Sequence, residues 1–242
     1  MPYTPRSAEA ASDILLTRAF ERFVARDGYP CVGAKSALAR NELRYFVGRD
    51  IRSAYNDLPL LDALTDFAQA DPGDAVFRSF VAIFELPVIL PEIAFERALW
   101  DRMQSLHDKD RWLGQAYDPA VSSDPSSPDF SLSVGGEAFF VVGLHSRSSR
   151  RARRFRYPTL VFNLHSQFDR LRADGRYHRM RDTIILRDEA YSGSINPMLA
   201  EHGVASEARQ YSGREVGAEW VCPFQANTAP RPRILEGLDR AA

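Results

Sequence analysis

Residues 130–144, FSLSVGGEAFFVVGL, constrain the fold more than any other stretch of this chain. Two runs rich in Val, Leu and Phe flank Gly135-Gly136. A Gly-Gly pair between strand-like runs is the signature of a tight β-hairpin, because glycine accepts the left-handed backbone that such turns need. The run TLVFNL at 159–164 has the same β-branched and aromatic character, and the three segments are expected in one sheet. Further strands are expected at 43–47 and 76–84.

A sheet of this kind needs helices to cover it. Apolar residues recur at helical spacing over 7–26 (Ile14, Leu15, Ala19, Phe20, Phe23), 58–70 and 91–108 (Phe95, Leu99, Met103, Leu106). Pro91 suits the first turn of the last of these. Helices are also expected over 166–173 and 177–188, separated by Gly175. Gly28, Pro30 and Gly33 break the pattern and place Cys31 in a turn or loop. The expected fold is α+β: a mixed or antiparallel central sheet flanked by helices, in a single domain over 1–242. Its core runs from about residue 10 to 226, with a frayed Pro- and Arg-bearing tail from 227. The Pro-, Ser- and Asp-rich stretch 114–130 reads as a long loop bordering a binding cavity rather than a linker.

Composition excludes several classes. Thirty-one basic residues balance 32 acidic ones, so no global field exists to capture nucleic acid or anionic lipid. No apolar run reaches the ~18 residues of a membrane helix, and MPYTPRSAEAAS lacks the apolar core of a signal peptide. A cytoplasmic location is therefore expected. Cys31 and Cys222 are far apart, with no CxxC, and are expected reduced; a zinc site built from cysteines is excluded by number. Dinucleotide, P-loop, zinc-protease and hydrolase fingerprints are missing.

What remains is a set of single residues at element ends. His145 follows the strand at 137–144, and His165 follows the one at 159–164. If those strands are neighbours, both imidazoles are expected at the same sheet end, where α/β folds usually put ligands; the alternative is a histidine hydrogen-bonded locally at a strand end. His107, in a last helical turn, would complement the helix dipole. His178 and His202, flanked by polar residues, are expected on the surface. Cys222, in Trp220-Val221-Cys222-Pro223-Phe224, could present a thiolate to haem iron or pack as a small apolar side chain; Cys31 has the same two readings. Six arginines between Arg147 and Arg156 form a solvated loop, bind nucleic acid, or pair with carboxylates of a bound ligand.

Longer stretches carry a family resemblance. Tyr29-Pro30-Cys31-Val32-Gly33-Ala34-Lys35-Ser36-Ala37, Leu106-His107-Asp108, Asp118-Pro119 and Ser123-Asp124-Pro125 resemble the YqcI/YcgG family. So do the dense block 130–168, Asn196-Pro197-Met198-Leu199, residues 206–213 and Cys222-Pro223-Phe224. Asn41-Glu42 and Ser146 depart from the family pattern, which has Gly-Thr or similar and Pro there.

The resemblance implies a haem-dependent N-hydroxylase acting on the guanidino group of a small amino-acid-like substrate, of the guanitoxin-biosynthesis type. It would use haem b, dioxygen or peroxide and an electron donor the sequence does not name. The alternative is a haem-binding or redox-sensing protein without turnover. Under this reading His165, His145 and Cys222 are the alternative iron ligands, and Arg153 and Arg154 would hold propionates. Glu137, Asp124 and Glu207 would meet a guanidinium, and Arg209 a substrate carboxylate. No catalytic residue is assigned.

Overall fold

In the computed structural model the described residues are 7–71, 73, 75–199 and 203–227; His202 and the tail from 228 lie outside them. Five strands form one mixed sheet in the order β1-β2-β5-β4-β3. They are β1 (Leu43–Asp50), β2 (Ser79–Leu86), β3 (Leu132–Val134), β4 (Glu137–Leu144) and β5 (Thr159–Leu164). The β1–β2 pair is parallel and the other three pairs are antiparallel. The helices are α1 (Ser7–Ala25), α2 (Val32–Ala39), α3 (Asp57–Gln69), α4 (Glu92–Trp112), α5 (His165–Ala173), α6 (Tyr177–Ser192) and α7 (Ala208–Tyr211). This is the expected α+β architecture.

Gly135 and Gly136 both have positive φ, +63° and +82°, and close the β3–β4 hairpin as expected. The turn is anchored from outside: buried Asp110, near the end of α4, accepts from the Gly135 amide at 3.1 Å. Burial lifts the Asp110 carboxyl to about 6.

Strand alternation builds two cores on opposite faces. Phe80, Ala82 and Phe84 of β2, with Leu160, Phe162 and Leu164 of β5, join the larger core under α3 and α4. Val81 and Ile83 point the other way, to a smaller core with Phe20, Phe23 and Val24 of α1. No residue of α6 belongs to either core.

Two sequence expectations change. Residues 32–39 are helical, and Cys31 caps this helix, its Sγ accepting from the Ala34 amide. The longer α4 leaves His107 short of the last turn; it is buried, its ring accepts from the Asn227 amide at 2.8 Å, and burial lowers its pKa. A buried neutral imidazole does not complement a helix dipole. Among the described residues, no helix is long and apolar enough to cross a membrane.

Candidate functional site

The antiparallel β4–β5 pairing separates the two histidines that the sequence singled out. Leu144 faces Thr159 and Phe139 faces Leu164. His145 therefore leaves the sheet at the Pro158 end and His165 at the other, seven residues away along β5, or about 20 Å at the usual strand rise. Alternation also puts them on opposite faces. His145 follows Leu144 of the smaller core, so its ring lies on the α4 side, stacked on Phe95 with centroids 4.3 Å apart. His165 follows Leu164 of the larger core and turns toward α6. The expectation of both imidazoles at one sheet end is overturned, and the two cannot serve one haem.

His165 lines a cleft of about 270 Å3 on the face away from α4. Its floor is sheet: Ser79, Phe140, Val142 and Asn163, where the Ser79 hydroxyl donates to Asn163 Oδ1 at 2.7 Å. One wall is the start of α2 with Cys31, and the other is the inward stripe of α6: Met180, Ile184, Ile185 and Asp188. Those positions recur at helical spacing, so α6 turns its apolar face to the cleft instead of to a core. A larger groove, about 820 Å3, runs beside β1 and α3, but its Arg40, Arg44 and Arg78 are balanced by Glu42, Asp66 and Asp71. The α6 cleft better fits the usual ligand site, with apolar walls and a few convergent polar groups.

The His165 ring is fixed. Its Nδ1 lies 3.1 Å from Asp169 Oδ2, one helical turn on, and Arg172 also donates to Asp169. Burial alone would raise the Asp169 carboxyl, but Arg172 and His165 outweigh it and hold it below the usual range. A carboxylate behind a histidine is the arrangement that orients a metal-binding imidazole.

Charge in the cleft is lopsided. Arg150, Arg153, Arg172 and Arg181 line it, against the carboxylates Asp188 and Glu207 of the lining and Asp169 paired with Arg172, an excess of one positive charge among these groups. Arg150 reaches Asp188 at 2.5 Å, and both are buried. Arg153 donates to the carbonyls of Tyr211 and Gly143. The Cys31 thiol is pushed up by burial and stays protonated near neutrality.

Of the residues given a ligand, cofactor or substrate role from sequence, His165, Arg153 and Glu207 meet in this cleft, together with Cys31, and His145, Cys222, Arg154, Arg209, Asp124 and Glu137 are not among its lining. Cys222 packs against the larger core across the sheet, its thiol pushed up to about 12 by burial. Arg154 holds the Ser148 and Ser149 carbonyls. Arg209 holds the Val216 and Gly217 carbonyls beneath Trp220. Asp124 turns its own loop by accepting from Ser126, and Glu137 sits at the hairpin near Asp118. No residue of the 114–130 loop lines the cleft; it packs on the hairpin through Asp118 and Tyr117, contrary to expectation. The arginine run is split: Arg150 and Arg153 turn inward, while Arg151 and Arg156 stack on Tyr191 and Tyr157. Sequence reasoning missed Arg150 as an individual and Asp188, and gave Asn196 no role although the stretch Asn196-Pro197-Met198-Leu199 carries the family resemblance; for Asp188 the signal was its place at the end of an apolar stripe.

Among the described residues no three His, Cys, Asp or Glu side chains are grouped to hold a metal ion by themselves. No curated protein and no solved structure matches the chain. The profile of the YqcI/YcgG family matches residues 20–225, which include every cleft residue named above, and the chain belongs to that family.

Proposed function

We propose that the α6 cleft binds haem and that the protein is a haem-dependent N-hydroxylase acting on the guanidino group of a small amino-acid-like substrate. The observation that carries the reading is the combination in one cleft of apolar walls, a single histidine backed by a carboxylate, and an excess of positive charge. A haem needs few protein ligands, since the macrocycle fills the plane, and its propionates suit a site with an excess of arginine over carboxylate. His165 would hold the iron, with Asp169 fixing the ring. Arg181 would face a propionate, because Arg150, Arg153 and Arg172 already serve Asp188, backbone carbonyls and Asp169. The volume lies just under the range of about 300–1,000 Å3 usual for ligand sites, so α6 must move outward to admit a macrocycle.

Bound haem supplies the two-electron oxidation, by dioxygen or peroxide, that no side chain performs. The chain's own residues bind and orient the substrate. A guanidinium needs a carboxylate, and Asp188 and Glu207 are the acids lining the cleft. Phe140, Phe168 and Ile184 exclude water around the reacting nitrogen.

The test is the visible spectrum of protein made with adequate iron and haem precursor. A Soret band is expected, lost or shifted in His165→Ala and retained in His145→Ala and Cys222→Ala. A parent protein that never takes up haem refutes the proposal, and loss of the band in His145→Ala alone refutes the ligand assignment. Turnover of a guanidino substrate separates this reading from a haem protein without catalysis.

A further inference from the structure

Beside the cleft lies a second, more polar compartment of about 370 Å3. Ser149, Ser192, Ser194, Asn196, Glu215 and Arg150 line it, together with Ile195, Pro197 and Gly213. Arg150 and Asn196 line both cavities and form the partition between them. Arg150 is only 9% exposed. It spends one terminal nitrogen on Asp188 and the Ser194 carbonyl and the other on the Ser194 hydroxyl and the Ile195 carbonyl. Its buried Nε–H has no acceptor. An unpaired donor on a buried cation is unusual enough in a folded protein to call for a missing partner.

The two cavities differ in charge. The cleft carries an excess of positive charge, whereas the compartment has the Glu215 carboxylate and, in the Asp188-paired Arg150, one guanidinium with a donor to spare. An unengaged guanidinium N–H and a carboxylate in one small polar space complement the two ends of a zwitterion. We infer that this compartment receives the amino-acid end of the substrate. The carboxylate accepts from Arg150 Nε–H, the ammonium faces Glu215, and the side chain passes Asn196 into the cleft. The guanidinium then arrives beside Asp188, whose Oδ1 accepts from Ser192 at 2.9 Å. The inference rests on the reading of the cleft as the site of oxidation, and it makes Glu215 and Arg150 determinants of substrate choice.

The test is calorimetric titration with two probes, arginine and 5-guanidinopentanoate, which lacks the ammonium. Each is titrated into haem-loaded and haem-free protein. Glu215→Gln, at an exposed position, is expected to weaken arginine binding about fivefold, the scale of one partly exposed ion pair. It should leave 5-guanidinopentanoate and the haem spectrum unchanged. Ser194→Trp, which fills the compartment, is expected to abolish binding of both probes while the Soret band persists. Equal arginine affinity in parent and Glu215→Gln, equal losses for both probes in Glu215→Gln, or no arginine binding by the parent overturns the inference. Failure of the haem reading shows separately, as a missing Soret band, and the haem-free titrations still decide whether the compartment recognises a zwitterion.

Discussion

Substituting Asp188 by Asn should loosen α6 without loosening the sheet. The helix contributes to neither core, and its apolar stripe faces the cleft. It is tied down near its ends, by Arg172 against Tyr177 at the start and by the Arg150–Asp188 pair and the Arg151–Tyr191 stack at the finish. Asp188 is 7% exposed and Arg150 9%, so solvent screens their attraction little. Removing one partner of a buried pair costs about 3–5 kcal/mol, because the other charge is left uncompensated. Asn still offers an oxygen to Ser192, and Arg150 keeps its bonds to residues 194 and 195, so the low end, about 3 kcal/mol, is expected. At about 1.4 kcal/mol per factor of ten, local opening of α6 becomes roughly 100-fold more frequent. Amide hydrogen exchange reads this directly: α6 protection should fall by that factor while β2 and β5 stay at parent values. Unchanged α6 exchange would refute the view that the pair latches the helix. Equal losses in α6 and β5 would show that α6 unfolds only with the whole domain.

Two further outcomes follow from buried polar groups. The Asp110 carboxyl titrates near 6 in the folded chain, raised by burial, against about 3.9 unfolded; the stability it contributes is full below about pH 4 and is lost as pH rises through 6. Asp110→Asn, which keeps an acceptor for the Gly135 amide, should therefore gain on the parent between about pH 4 and 6, by up to about 3 kcal/mol at neutrality. A pH-independent difference in melting temperature would contradict this. Tyr211 is fully buried, and its hydroxyl donates to the Phe139 carbonyl and accepts from the Leu132 amide, two residues paired across β3 and β4. Tyr211→Phe should cost about 1–3 kcal/mol and lower the denaturant midpoint; a midpoint equal to the parent's would show that the hydroxyl is dispensable.

Strands whose alternation and turn chemistry agree could be read residue by residue. The segments expected at 137–144 and 159–164 appear with those limits. Each has apolar side chains for both faces, and the hairpin turn fixes where β4 begins. Helix α2 was missed because its start offers Cys31 as cap, outside the usual Ser, Thr, Asp and Asn, and because Gly33 reads as a breaker. Its Ala-rich body has too few large apolar residues to show a stripe. The full length of α6 was missed for the opposite reason: past Asp188 the stripe gives way to Glu189, Ala190 and Ser192, and only the left-handed Gly193 stops the helix.

The site was less legible because it depends on strand direction, which alternation does not encode. One signal was present. The connection from 145 to 158 contains only a 3-10 turn at 151–153, and joining parallel neighbours usually takes a crossover of a dozen or more residues carrying a helix. A connection of that length spent on arginines and serines favours antiparallel neighbours, and antiparallel neighbours put the residues after their C-terminal ends at opposite edges. The composition of that connection is thus enough to part His145 from His165. Nothing comparable pointed to the cleft's far wall. Arg150, Asp188 and Asn196 come from three segments that meet only when α6 folds back over the sheet. The arginine of the pair that fastens this wall, with Asn196, also divides the cleft from its polar neighbour. One buried carboxylate, Asp188, therefore both fastens α6 and holds the arginine that separates the two cavities.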